Sequence, residues 1–206
     1  AKKELRCPII YYILPKLWAW RAGRIRQLRR YVDLGLSILP FETSYFSDRG
    51  LRTAYIGNPC VDAKLTYLAE HPEPVEREQM LLLVPGSRQS ELRDNLPEIA
   101  ATAAYSNLGW RVVIAGAPGL TAADYAPHLG KYSDTPILFG DTYGLMRRAH
   151  AALVTSGTAT LEAGLWGIPM IVCYRMGGRR IARLAFERLF RVPYFSLVNL
   201  ILDRPA

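Results

Sequence analysis

Ala151-Ala152-Leu153-Val154-Thr155-Ser156-Gly157-Thr158-Ala159-Thr160-Leu161-Glu162-Ala163-Gly164-Leu165-Trp166-Gly167-Ile168-Pro169 reads as a strand, a tight turn and a helix. The apolar run Ala151–Val154 is short enough for a buried strand. Small residues then lead into a helical pattern that Gly167 and Pro169 close. In such a unit the first helical N–H groups lack intrahelical partners, and the macrodipole adds partial positive charge. An anion can therefore settle there if no bulky side chain blocks its approach. Ser156, Gly157 and Thr158 supply the small residues. Glu162 stands four residues after Thr158 and six after Ser156, off the spacing of a capping box. One turn from a bound phosphate, its carboxylate could accept both hydroxyl protons of a ribose. An ordinary strand-to-helix turn with a solvated glutamate is spelled the same way, so the letters alone leave both open.

The pattern repeats on either side. From Met80 onward the chain alternates strand Met80–Val84, helix Glu91–Asn107, strand Arg111–Gly116, helix Thr121–Leu129, strand Pro136–Phe139 and helix Thr142–His150. It continues through the quoted unit to strand Met170–Tyr174 and helix Gly178–Phe190. Alternation of this kind predicts a parallel sheet with its ligand crevice outside the strands' carboxyl ends. Before it, Ile9–Ile13 reads as a buried strand and Lys16–Tyr31 as a helix with a basic face. Asp33–Leu39 is a further apolar run stopped by Pro40-Phe41-Glu42, Thr43–Gly50 a short helix, and Tyr55–Pro59 a third strand end and turn. The polar, proline-containing stretch Leu68–Glu78 separates the two series. The expectation is α/β throughout: residues 1–67 as part of one Rossmann-like domain, 68–79 as linker, 80–206 as a second such domain.

Three strand ends carry candidate ligand contacts. After Val84 comes Pro85-Gly86-Ser87-Arg88, where glycine admits a ligand to the backbone and the arginine fork suits a phosphate. A surface arginine after a turn reads identically. After Phe139 comes Gly140-Asp141-Thr142-Tyr143, whose backbone could read a nucleobase edge, although Asp141 also fits a plain helix N-cap. After Tyr174 comes Arg175-Met176-Gly177-Gly178. Asn199, an amide inside an apolar run, is either a loop tether or a ligand contact, because a buried amide needs a hydrogen bond.

Composition narrows the partners. Half of the 206 residues are hydrophobic, enough for a real core, and Cys7, Cys60 and Cys173 have no spacing for zinc or a disulfide framework, which fits a reducing compartment. No apolar run approaches the roughly 18 residues of a membrane span. The net charge of +8 is clustered arginine, suited to nucleic acid, an anionic membrane or phosphorylated substrates. Arg21 and Arg24 beside Trp18 and Trp20, and Arg179, Arg180 and Arg183 on the last helical pattern, are the candidate membrane-facing residues. A solvated basic face with core tryptophans is the plainer reading. His71, His128 and His150 have no partners at recognisable spacing.

Taken together, Leu14-Pro15-Lys16-Leu17-Trp18-Ala19-Trp20-Arg21, Leu39-Pro40-Phe41-Glu42, Tyr55-Ile56-Gly57-Asn58-Pro59, Val84-Pro85-Gly86-Ser87-Arg88, Thr155–Glu162, Tyr174-Arg175-Met176 and Ser196-Leu197-Val198-Asn199-Leu200 resemble the lipid-A-disaccharide synthase family. The blocks keep that family's order over nearly the whole chain. The resemblance implies a GT-B glycosyltransferase of two Rossmann-like domains, the first incomplete here. It implies transfer of diacylglucosamine from UDP-2,3-diacylglucosamine to 2,3-diacylglucosamine 1-phosphate, inverting and independent of metal, on the inner face of the bacterial inner membrane. No cofactor and no nucleic acid is implied, and a homodimer is compatible with it. No paired-aspartate motif to hold a divalent ion is present.

Carried over by resemblance, Arg88 would bind or neutralise phosphate, Ser156, Gly157 and Thr158 would cradle the diphosphate, Glu162 would hold the ribose, and Asn199 would contact nucleotide or sugar. Uridine would lie near Gly140, Asp141 and Tyr143. Family members carry a glycine-rich loop and an aspartate-containing segment before the first strand seen here, the latter expected to supply the general base. Neither is in these 206 residues, and the family continues into closing helices beyond Arg204-Pro205-Ala206. Two alternatives remain: another GT-B enzyme using UDP-N-acetylglucosamine, against which WAWR and PGSR argue, and a non-catalytic nucleotide-binding module.

Overall fold

The structure, a computed structural model, describes residues 7–19, 22–175 and 196–202. Runs of leucine, valine and isoleucine form two parallel sheets, and the residues divide into two compact units at Ala63 and Lys64. The first unit holds β1 (Ile10–Tyr12), helix α1 (Ile25–Tyr31), β2 (Leu34–Ser37), α2 (Pro40–Ser47) and β3 (Thr53–Tyr55), with sheet order β1-β2-β3. Leu14, Leu17, Val32, Phe46 and Leu51 form its core. Helix α3 (Pro59–Glu70) follows, so the polar connection contains a helical turn through Glu70 before the chain reaches β4.

Three expectations change in this unit. The strand at Ile9–Ile13 is exposed among the described residues: Ile10 and Tyr12 are 58% and 59% exposed, and β1 pairs there with β2 alone. The segment Lys16–Tyr31 is not one helix. Leu14, Leu17 and Ala19 are drawn into the core and Trp18 donates to Glu42 Oε1 at 2.9 Å, so packing overrides helical spacing until a 3₁₀ turn at Ala22–Arg24. The apolar run does end before Pro40, β2 closing at Ser37, but α2 opens at Pro40 and not at Thr43, since a first-turn proline lacks only an N–H that would be unpaired anyway. Glu42 then reaches back to the Leu39 N–H at 3.2 Å. Burial pushes the Glu42 carboxyl up, against the Trp18 and backbone hydrogen bonds that lower it.

The second unit holds β4 (Glu78–Val84), α4 (Gln89–Tyr105), β5 (Arg111–Gly116), α5 (Ala122–Leu129), β6 (Ile137–Phe139), α6 (Thr142–Arg148), β7 (Ala149–Thr155), α7 (Thr158–Leu165), β8 (Met170–Cys173) and α8 (Leu197–Leu202). All five strands are parallel, in the order β6-β5-β4-β7-β8. Strand alternation sends Leu82, Val84, Val113, Ala152 and Val154 to one face, with α6 and α7, and Leu81, Leu83, Ile114 and Leu153 to the other, with α4 and α5. Each buried leucine, isoleucine or valine among them contributes about 1.5–3 kcal/mol. Chain order reverses between β4 and β7, the place where doubly wound sheets open a crevice at their carboxyl ends. Trp20, Arg21, Arg179, Arg180, Arg183 and the helix expected at Gly178–Phe190 lie outside the described residues.

Candidate functional site

At the carboxyl ends of β5 and β6 lies an open cavity of about 510 Å³, lined by Tyr67, Ala117–Leu120, Phe139–Tyr143 and Glu162. Gly116 lets it form, since a Cβ there would sit 2.2 Å from the Phe139 ring. The Ala117 N–H donates to the buried Tyr125 hydroxyl at 2.8 Å, which fixes the loop after β5. That loop is a wall the sequence reading passed over, although Gly116-Ala117-Pro118-Gly119 carries the same glycine and proline punctuation as the strand ends singled out.

The loop after β6 supplies three expected residues. Gly140 adopts φ +84°, a conformation suited to glycine, and opens onto the cavity. Asp141 is the N-cap of α6, its Oδ1 accepting the Gly144 N–H at 2.9 Å. The same oxygen accepts the Tyr67 hydroxyl at 2.9 Å, and Arg148 approaches Oδ2 at 3.6 Å. Tyr143 donates from its hydroxyl to Glu162 Oε1 at 2.8 Å. Glu162 therefore is not a freely solvated glutamate: it is half-buried, oriented by a tyrosine and part of the cavity wall.

Glu162 sits on α7, which connects the cavity to the turn after β7. The turn itself, Ser156–Thr158, is not among the cavity-lining residues. Gly157 caps α7 in an extended conformation with no side-chain cap, and a Cβ added to it would meet none of the described residues within 4 Å. Glu162 lies five residues on, about 7 Å along the helix axis at 1.5 Å per residue. The far end of α7 is secured differently. Lys64 Nζ donates to the Leu165 carbonyl at 2.7 Å, and Arg77 donates to the Trp166 and Gly167 carbonyls at 3.1 and 2.7 Å, cations placed where the helix dipole is negative.

Two expected residues stand apart from the cavity. Arg88 follows β4, its guanidinium 78% exposed and paired with Glu91 at 2.9 Å. Asn199 lies half-buried on α8, which packs on α7 where Val198 would be 3.0 Å from a Cβ at Gly164. At the end of β8 the Arg175 N–H donates to buried Asn95 at 2.7 Å, and its guanidinium pairs with Glu98. Among the described residues no group of three or more His, Cys, Asp or Glu side chains is placed to hold a metal ion.

Comparison with known proteins decides the family. The sequence model described as lipid-A-disaccharide synthetase matches residues 1–206. The chain belongs to the lipid-A-disaccharide synthetase family. A lipid-A-disaccharide synthase of Acidobacterium capsulatum is 34% identical over 222 residues, covering 98% of this chain and 54% of that protein. One from Myxococcus xanthus is 35% identical over 211 residues, covering 98% of this chain and 55% of that protein. The chain thus spans about half the length of these family members. Among solved structures, UDP-N-acetylglucosamine 2-epimerase from Rickettsia bellii superposes with a TM-score of 0.54 at 15% identity, covering 92% of this chain and 60% of that one. That likeness concerns fold, and with the two parallel sheets it gives α/β architecture of GT-B type with Rossmann-like units.

Proposed function

We propose that this chain carries the UDP-binding half of a lipid-A-disaccharide synthase, an inverting glycosyltransferase. It would join UDP-2,3-diacylglucosamine to 2,3-diacylglucosamine 1-phosphate and release UDP. Residues 80–206 form the nucleotide-sugar domain, 1–67 the later part of the acceptor domain, and 68–79 their linker. The observation that carries the reading is Glu162, a carboxylate held by Tyr143 in a cavity wall, about 7 Å along α7 from a bare helix start at Gly157. The Ser156 N–H donates to the Cys173 carbonyl at 3.0 Å, so a diphosphate would take the N–H groups at Gly157 and Thr158, with its ribose near Glu162 and its uracil beside Gly140, Asp141 and Tyr143.

In that pose the protein stabilises the leaving group. As the glycosidic bond breaks, negative charge grows on the departing diphosphate, and aimed N–H groups offset it without a metal ion. Arg88 would add charge by exchanging its exposed Glu91 pair for phosphate, and Asn199 would contact nucleotide or sugar. The general base belongs to the segment that precedes the first strand in the family. The chain alone is therefore expected to bind UDP without turnover, and measurable disaccharide formation by it would refute this.

Basic residues supply a second contact, with membrane. Arg24 is exposed, as are Arg26, Arg29 and Arg30 on α1, and no described helix is long and apolar enough to cross a bilayer. We place this surface against anionic lipid on the inner face of the bacterial inner membrane, each residue contributing about 1 kcal/mol; Arg21, Arg179, Arg180 and Arg183, expected to join it, lie outside the described residues. Calorimetric titration with UDP, comparing the chain with Glu162→Ala, tests the central reading. No heat of binding, or equal affinities, would contradict it.

A further inference from the structure

Tyr67 belongs to none of the motifs that carry the family resemblance, yet it lines the cavity and is fixed from several sides. Its ring stacks on His71 at 4.1 Å and meets Tyr143 and Trp166 edge-on at 5.8 and 5.7 Å. Lys64, three residues earlier on α3, bonds the Leu165 carbonyl at 2.7 Å, and Arg147 donates to the His71 carbonyl at 2.8 Å. These contacts hold the phenol against Asp141, and Tyr143 carries the same bracing on to Glu162.

A phenol has one proton, and this one is committed. It goes to Asp141 Oδ1 at 2.9 Å, an oxygen that also accepts the Gly144 N–H and, as part of a carboxylate, has no proton to return. Desolvation, then the hydrogen bond and charge of Asp141, push the Tyr67 phenol up, so it keeps that proton. What remains on the Tyr67 oxygen is lone pairs, and its neighbour Asp141 likewise only accepts. This corner of the cavity therefore takes donors.

Building on the nucleotide reading above, we infer that Tyr67, its proton held by Asp141, is a specificity-determining residue that favours a nucleobase whose ring nitrogen carries a proton. Uracil has such an N3–H. Cytosine presents a bare lone pair at the same ring position, which would face an oxygen unable to donate, and a site built on fixed hydrogen bonding rejects a mismatched partner.

Calorimetric titration of the chain with UDP and with CDP tests this. The wild type is expected to prefer UDP. Tyr67→Phe keeps the ring contacts and removes the acceptor, so UDP affinity should fall about tenfold while CDP changes little and the preference collapses. Asp141→Ala removes the oxygen that holds the phenol proton, leaves the phenol able to donate, and should shrink the preference as well. Glu162→Ala should weaken both nucleotides alike, since they share a ribose. A UDP-to-CDP ratio unmoved in both Tyr67→Phe and Asp141→Ala, with UDP binding still sensitive to Glu162→Ala, overturns the role of Tyr67 alone. Absence of UDP binding by the wild type overturns the nucleotide reading and this inference together.

Discussion

The turns after β4 and β7 look alike in sequence, each a glycine among small residues at the carboxyl end of a central strand, but their glycines answer different needs. Gly86 adopts φ +113°, and a Cβ on it would lie 2.5 Å from Glu91 Oε2. The same oxygen accepts the Ser87 and Arg88 N–H groups at 2.8 and 3.3 Å. Its donors are thus occupied by the protein's own carboxylate, and the glycine makes room for that carboxylate. Gly157 has open space about its Cα and no side-chain cap. Among the described residues nothing calls for glycine there, and the proposed diphosphate would use that space. An anion site and a self-satisfied helix start share a sequence signature, and only the occupancy of the N–H groups separates them.

Crossed substitutions sharpen that contrast. Gly157→Val should lower UDP affinity by about 100-fold, with a thermal midpoint within a few degrees of wild type, because a Cβ there meets no described atom within 4 Å and the side chain would fill the anion's place. Gly86→Ala should do the reverse. It should cost about 2 kcal/mol of stability, from positive φ and the clash with Glu91, and leave UDP affinity nearly unchanged. Denaturant unfolding of both proteins beside calorimetry checks the pair, and a stability loss confined to Gly157→Val would break the comparison.

Smaller effects lie farther along each helix. Glu162→Ala should weaken UDP about tenfold but 2′-deoxy-UDP less, because the lost acceptor serves ribose hydroxyls. Arg88→Ala should change UDP affinity only about two- to threefold, and less at high salt, as expected of an exposed cation already paired on the surface. An Arg88 effect exceeding that of Gly157→Val would move the phosphate to the β4 turn.

Strand and helix order in the second unit was legible because apolar runs, glycine and proline punctuate it every few residues, and β5 keeps the expected limits Arg111–Gly116. Asp141 as an N-cap was legible for the same local reason. Exposure of β1 among the described residues was not, since an apolar run shows a preference for burial and not what lies beside it. Tyr67 was hidden too. It meets Asp141 from 74 residues away, and nothing in Lys64-Leu65-Thr66-Tyr67 marks that pairing. The wall after β5 was the recoverable omission, because its glycines and proline occupy a strand end like the others.

A crystal structure of the chain soaked with UDP tests the account most directly. The diphosphate should rest on the N–H groups at Gly157 and Thr158, the ribose hydroxyls on Glu162, and the uracil in the cavity beside Gly140 and Tyr67. A diphosphate seated at Ser87 and Arg88, or a nucleotide bound with that cavity empty, would contradict it.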